Sequence, residues 1–125
     1  MKTYNNLLYS LLIFLSFCLC ISCSSSENSK FSKSLWNKRD DTAFPPPGRE
    51  NSLDDLLSTH KFVGLHYKEL IGLLGLPDQN DSNSLYYEIS VDYGNDIDPI
   101  GGKNLIFFFS QDSLITKYKI DEWPK

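Results

Sequence analysis

A short helix with a stop signal at each end lies in the middle of the chain, and it constrains the fold more than any other stretch. Leucine and isoleucine residues recur at helical spacing just before Gly75. Glycine adopts the left-handed cap conformation most easily, and Pro77 cannot continue a helix. At the other end, His66 stands in the N-cap position with Glu69 three residues later, as in a capping box. The pattern predicts a helix over residues 67–74.

An earlier helix is predicted from similar signals. Ser52 is a favourable N-cap residue, and Asp54 and Asp55 would lie at the positive end of the helix dipole. The helix is expected to end near Thr59 or His60, so that the two helices form an αα unit. Its apolar face consists of Leu53, Leu56 and Leu57.

After the second helix the apolar period changes from helical to two, which is typical of half-buried strands. A third strand is expected to follow the second through a tight turn at residues 111–112. The other segments are a polar turn at 79–83, a first strand at 85–93, a loop at 94–102 and a second strand at 104–110.

The turn length decides which side chains of the last hairpin share a face. A two-residue turn pairs Phe109 with Leu114 and, like a four-residue turn, keeps Lys117 and Lys119 off the apolar face. A three-residue turn would place both lysines among the phenylalanines, so the even-numbered turns are preferred. The predicted core then consists of Leu56, Leu57, Leu70, Ile71, Leu74, Leu85, Tyr87, Ile89, Val91, Leu105, Phe107, Phe109, Leu114, Tyr118 and Ile120.

Together these elements predict an α+β domain. Two short helices pack on one face of a three-stranded antiparallel meander in the order ααβββ, after a signal peptide and a flexible tether. Each large apolar side chain contributes about 1.5–3 kcal/mol when buried, so a core of this size is sufficient for a marginally stable small domain.

The run GLHYKELIGLLGLPD at residues 64–78 resembles the helix-to-sheet signature of the SmpA/OmlA (BamE-like) family of small outer-membrane lipoproteins. The resemblance covers about residues 54–120, and it departs from the family at His66, where a serine or threonine cap is usual. It implies a lipid-anchored protein that is not an enzyme and binds another envelope protein. It also implies a role in outer-membrane integrity or in the assembly of β-barrel proteins.

The beginning of the chain has the features of a lipoprotein signal peptide over residues 1–22. Its apolar run at 7–21 is shorter than the about 20 residues of a membrane-spanning helix. Cys23 follows the small residue Ser22, which resembles a lipobox, although Cys20 stands where a leucine is usual. We expect lipid on Cys23, including palmitate-type acyl chains, to hold the protein on the periplasmic side of the outer membrane. An ordinary cleaved secretory signal and an uncleaved anchor helix are the alternatives.

All three cysteines lie in or at the end of this leader, so the folded part has no disulfide and no thiolate metal site. Residues 23–50 are predicted to be the lipidated cysteine and a flexible tether, and residues 51–125 the folded domain. Within the tether, Trp36 is expected to anchor against the domain, and the prolines at 45–47 to form a stiff spacer.

The sequence contains no catalytic constellation, and it predicts no cofactor and no metal site. The net charge of −4 and the scattered basic residues argue against nucleic acid as a partner. His60 and His66 are expected to be a solvated helix end and a helix cap. Asp92, Asp96 and Asp98 lack the spacing of a calcium loop and favour a polar hairpin loop.

The residues that point to a partner lie on the sheet face opposite the helices. An apolar patch bordered by a lysine is expected there, and such patches often mark an interface. A homodimer through the same patch, or an inhibitor or small-ligand-binding module of the same fold, are alternatives. So is the covering of this face by Trp36 or Trp123. The patch consists of Tyr86, Ile106, Phe108, Ile115 and Lys117.

Overall fold

The fold comprises helices on one side of an antiparallel sheet. The computed structural model describes residues 28–124, so the predicted signal peptide and Cys23 lie outside the described residues. The strands form one antiparallel sheet in the order β1-β2-β3-β4. The α+β class is confirmed, whereas the described part has one helix and one strand more than the predicted ααβββ order. The elements are α1 (Lys33–Asn37), α2 (Pro47–Thr59), α3 (Tyr67–Leu74), β1 (Gln79–Asp81), β2 (Ser84–Asp92), β3 (Gly101–Phe109) and β4 (Ile115–Pro124).

Helix α3 has the predicted bounds and the predicted caps. The ring nitrogen Nδ1 of His66 accepts a hydrogen bond from the Lys68 N–H at 3.1 Å. The His66 N–H donates to the Glu69 carboxylate at 2.8 Å, which completes the capping box. Gly75 ends the helix with φ +86°, a backbone angle that favours glycine. A Cβ atom at Gly75 would also meet the Asn37 side chain at 2.6 Å.

Helix α2 begins five residues before the predicted cap. Pro47 is its first residue, where the fixed φ of proline suits a helix start and no N–H is needed. Ser52 is therefore inside the helix, and its hydroxyl donates to the carbonyl oxygen of Gly48 at 2.6 Å. A Cβ atom on Gly48 would overlap the carbonyl oxygen of Leu35, so the glycine allows α1 to pack closely.

Strand β1 lies where the sequence predicted only a polar turn. Asn80 pairs with Leu85 and Asp81 with Ser84, so the turn is reduced to residues 82–83. The side chains of β1 are exposed and polar, and they carry no apolar alternation. The backbone of β2 makes this segment a strand, and that partner cannot be recognised from the polar residues themselves.

The register of β3 and β4 differs from the predicted one. Phe107 pairs with Tyr118 rather than with Thr116, so the connection is longer than two residues. Tyr118 keeps its predicted helix-facing side. A register shift between Phe108 and Phe109 leaves an extra residue on β4 near Thr116, as in a β-bulge. Before the bulge, the inward and outward positions of Leu114 and Ile115 are exchanged relative to the prediction, whereas the positions from Lys117 onward are as predicted.

The core is one cluster between the helices and the sheet. Leu114 and Tyr118, which were predicted to be in it, are 41% and 38% exposed, and Val91 lies outside it. The predicted core omitted Phe62 and Ile115. It also omitted Leu53 and Trp36, although Leu53 was expected on the apolar face of its helix and Trp36 was expected to anchor against the domain. The buried members are Trp36, Leu53, Leu56, Phe62, Leu70, Leu74, Leu85, Tyr87, Ile89, Leu105, Phe107 and Ile115.

The segment before α2 is packed on the domain, so the folded unit is larger than predicted. Trp36 is completely buried, with ring centroids 5.8 Å from Phe31 and 6.4 Å from Tyr87. The N–H of Phe31 donates to the Asp55 carboxylate at 2.7 Å. Apolar burial of one tryptophan thus fixes a polar stretch that by composition alone resembles a tether.

A buried ion pair joins this segment to the sheet. Arg49 is 2% exposed, and its guanidinium donates to the Asp78 carboxylate. The same guanidinium donates to the backbone oxygens of Glu88 at 2.8 Å and Trp36 at 3.2 Å. Asp78 also accepts from Arg39 at 2.7 Å. Helix α2, the start of the sheet and the segment before α2 therefore share one polar network.

Tyr87 adds a pH dependence to the stability of this region. Its hydroxyl donates to the Gly75 carbonyl oxygen at 2.8 Å. Burial raises the pKa of Tyr87 far above its ordinary 10.0, against a smaller lowering by Arg49. Unfolded chains lose this proton near pH 10 while the folded protein keeps it, so stability is complete below pH 10 and falls above it.

We expect the free energy of unfolding to decline above pH 10 with a slope that approaches about 1.4 kcal/mol per pH unit from this one group. Urea unfolding between pH 8 and 11 measures it. Tyr87→Phe is expected to flatten the decline relative to wild type. Equal slopes in the two proteins would contradict the assignment.

Candidate protein-binding face

The sheet face opposite the helices carries most of the predicted patch. Side chains alternate along a strand, and Tyr87 and Phe107 lie in the helix-facing core, so their neighbours point the other way. Ile106 is flanked by Tyr86 on β2 and Lys119 on β4, while Phe108 lies beside Lys117. We call this surface the outer face and define it by Tyr86, Ile106, Phe108, Lys117 and Lys119.

Ile106 is the floor of the outer face rather than part of its accessible surface. It is 4% exposed although it does not belong to the core cluster between the helices and the sheet. Tyr86 and Phe108 are half-buried, and the Lys117 ammonium lies 4.9 Å from the centroid of the Phe108 ring. This distance suits a cation–π contact. A partner would therefore contact two aromatic rings and exposed lysines.

Ile115 does not lie on the outer face, and its predicted position there is wrong. It is 1% exposed and belongs to the core cluster, whereas Leu114 points out to solvent. The cause is the register shift at the start of β4, which exchanges inward and outward positions. Because Lys117 follows the shift, it remains on the outer face as predicted.

Neither tryptophan folds over the aromatic part of the outer face. Trp36 packs in the helix-facing core against Tyr87. Trp123 pairs with Gly102 on β3, and a Cβ atom on that glycine would meet the indole ring at 2.9 Å. Phe108 is six residues further along β3, about 20 Å away along the strand. Trp123 therefore borders the outer face at its far end.

The charge of the outer face is opposite to that of the chain. Lys117 and Lys119 are exposed on β4, in a chain whose net charge is −4. Lys119 is partly neutralised by Asp121, whose carboxylate lies 3.1 Å from the ammonium. The lysines are two residues apart and project from the same side of the strand. They favour a partner that brings acidic groups to this edge.

The histidines and loop aspartates have structural roles. His66 caps α3, and His60 is hydrogen-bonded to Thr59 at 2.9 Å, with its ring stacked on Phe62. Asp92 accepts a hydrogen bond from the Gly94 N–H at 2.7 Å, as in an Asx turn. Within residues 28–124, no group of three or more histidine, cysteine or acidic side chains is arranged to hold a metal ion.

An open cleft of about 680 Å³ lies at the end of the sheet that carries Gly101 and Trp123. The sequence did not predict it. Its side chains include Glu50, Asp92, Lys103 and Glu122. Lys103 lies 3.8 Å from Glu50 and 3.4 Å from Glu122. The residues come from four elements, so no sequence motif could have indicated it.

The comparisons with known proteins give no relative. No family model, no curated protein and no solved structure matches this chain. Within the part of the chain that the structure describes, no helix combines the length and the apolar character needed to cross a bilayer.

Proposed function

We propose that this protein is a lipid-anchored envelope protein that binds another protein through its outer face. The observation that carries the proposal is the pair of half-buried rings, Tyr86 and Phe108, beside the exposed Lys117 on a sheet face that no described helix covers. Aromatic side chains are enriched at the centres of protein interfaces, and charged groups such as lysine lie at the polar rim around them. No enzymatic step is part of the proposal.

The proposed anchor constrains how the outer face is presented. The backbone N–H of Ser29 donates to the Asn51 carbonyl oxygen on α2 at 2.9 Å, so the chain joins the domain on the helix side. From Cys23 to Ser29 is six residues, which span at most about 20 Å when fully extended. A lipid on Cys23 would hold the helix layer near the bilayer. The outer face, on the other side of the sheet, would then point toward the aqueous compartment.

The cellular role follows from the sequence resemblance alone. The helix-to-sheet run at residues 64–78 resembles the SmpA/OmlA signature, and that family suggests a role in outer-membrane integrity or in the assembly of β-barrel proteins. The fold itself is compatible with many functions. We therefore propose the periplasmic side of the outer membrane as the location and an envelope complex as the partner.

A second candidate function uses the cleft. A cleft of about 680 Å³ is within the size range of small-ligand sites, and an inhibitor or ligand-binding module of the same fold would use it. Four of its eleven lining residues are charged, and Lys103 already pairs with two of the acids. Because its cationic group is already paired within the protein, this candidate ranks below the outer face.

Phe108→Lys is expected to abolish partner capture. It would place a cation beside Lys117 and remove one of the two half-buried rings. The measurement is chemical cross-linking in the native host, followed by affinity purification of the tagged protein from detergent-solubilised membranes and identification of the captured chains. We expect one defined envelope complex with the wild type and at least a tenfold loss with the variant.

Ile97→Lys is the matched control, because Ile97 is an apolar residue 93% exposed in the β2–β3 loop, away from the outer face. It is expected to retain the complex at the wild-type level. Thermal unfolding of both variants tests whether misfolding, rather than the loss of the ring, reduces capture. Equal capture by Phe108→Lys and wild type would remove the proposal, and capture only of a second, differently tagged copy would indicate a homodimer instead.

A further inference from the structure

Strand β4 forms one edge of the sheet, and its outward side is paired only at its beginning. The N–H of Ile115 donates to the Leu65 carbonyl oxygen and its carbonyl oxygen accepts from the Gly64 N–H, both at 2.8 Å. This short pairing is antiparallel, with a bridge between His66 and Leu114. Among residues 28–124, no further segment pairs with the outward side of β4.

The link before α3 therefore pairs with the edge of β4 only at residues 64–66, as a fifth strand would, and does not continue along it. Gly64 has φ +94°, and the chain turns at this point so that Phe62 enters the core. Val63, which precedes Gly64, is 49% exposed. An extended segment from another molecule would continue the line of residues 64–66 along β4. Strand addition of this kind is a common mode of peptide recognition, because main-chain hydrogen bonds supply affinity.

The side chains of β4 define what such a segment must contain. On the outer face, Lys117 and Lys119 flank the edge, followed by Asp121, whose carboxylate lies 3.1 Å from the Lys119 ammonium. On the helix side, Tyr118 and Ile120 flank the edge. Tyr118 is partly exposed, and its ring lies edge-on to Phe62 at 5.5 Å. Opposite charges and apolar pairs across neighbouring strands are favourable. The edge thus matches a strand with acidic residues on one face and apolar residues on the other.

We propose that the edge of β4 from Lys117 to Ile120 accepts an extended segment of a partner protein in which acidic and apolar residues alternate. Edge lysines also oppose pairing between two copies of this chain, because each copy would bring the same two cations. The lysines thus select an acidic strand over a second copy. The inference deepens the proposed protein-binding function, on which it rests, by naming the chemistry of the bound segment.

The test uses the purified full-length protein in detergent and two labelled nine-residue peptides with blocked ends. One alternates glutamate with valine and the other alternates lysine with valine. Fluorescence anisotropy is expected to give at least about tenfold tighter binding of the glutamate peptide. The double variant Lys117→Glu/Lys119→Glu is expected to reverse this preference, and Lys68→Glu, an exposed lysine on α3, to leave it unchanged.

Strand addition has a further readout that simple charge attraction lacks. Hydrogen exchange of the β4 amides between residues 117 and 121 is expected to slow when the glutamate peptide binds. The same peptide with alternate backbone nitrogens methylated is expected to lose binding. Failure of both peptides to bind, equal binding of the two, or binding without protection of β4 would each overturn the inference.

The two proposals can fail separately. If Phe108→Lys loses the envelope complex in the host but neither peptide binds, the binding function of the outer face stands and the strand-addition inference falls. If Lys117→Glu/Lys119→Glu reverses the peptide preference with β4 protected, the inference about the edge is supported even where Phe108→Lys keeps its partners and the outer-face proposal falls.

Discussion

Asp78→Ala is expected to lower the free energy of unfolding by about 3–5 kcal/mol, the largest effect we predict for a single polar substitution. The substitution leaves the guanidinium of Arg49 buried without its carboxylate. It also removes the acceptor for the Glu88 N–H, which donates to Asp78 at 2.9 Å. An unpaired charge at a nearly inaccessible position is much more unfavourable than the loss of an exposed ion pair.

Urea unfolding of two further variants makes this prediction specific. Arg39→Ala removes the more exposed partner of Asp78 and is expected to lower stability by less than about 1 kcal/mol. The double variant Asp78→Ala/Arg49→Met removes both buried charges and is expected to be more stable than Asp78→Ala alone. If Asp78→Ala and Arg39→Ala lowered the free energy of unfolding by the same amount, the buried charge of Arg49 would not depend on Asp78 for its neutralisation.

Trp36→Ala is expected to lower the free energy of unfolding by about 3–5 kcal/mol and to release the segment before α2. The indole ring is completely buried between Phe31, Tyr87 and the Arg49 guanidinium, whose central carbon lies 5.5 Å from the ring centroid. Its removal would leave a cavity that the surrounding elements cannot close, because they come from both the helices and the sheet.

Limited trypsin digestion distinguishes this effect from global unfolding. Lys38 and Arg39 follow α1 and lie two and three residues after Trp36, so both are trypsin cleavage sites close to it. We expect faster cleavage there in Trp36→Ala at urea concentrations where the domain remains folded. Leu35→Ala is the control, since Leu35 is exposed, and its cleavage is expected to follow wild type. Unchanged cleavage in Trp36→Ala would mean that the segment is held by other contacts.

The sequence predicted only part of the candidate site. Alternation in β2 and β3 placed Tyr86, Ile106 and Phe108 on one face, and this placement is confirmed. Burial of Ile106 was missed, since it depends on neighbours from two other strands. The position of Ile115 was wrong because one extra residue in β4, near Thr116, exchanges the sides of Leu114 and Ile115, which precede it. Nothing in the local pattern records such a bulge.

The sequence by itself determined helix α3 and the class of the fold. Its caps involve residues within four positions of one another, such as His66 with Glu69, so local hydrogen bonding is sufficient to specify them. Strand β2 is similarly specified by its own residues, because apolar side chains at every second position already indicate a strand with one buried face.

Only the tertiary structure decided the extent of the domain, the fourth strand and the register of β4. Arg49 and Asp78 are separated by 29 residues, and neither residue indicates the other in the sequence. The polar segment β1 becomes a strand because β2 offers it hydrogen bonds, and Trp36 is buried because α2, β2 and Phe31 surround it. These contacts join residues far apart in the chain. Their free energy arises from burial and pairing that exist only after the chain has folded.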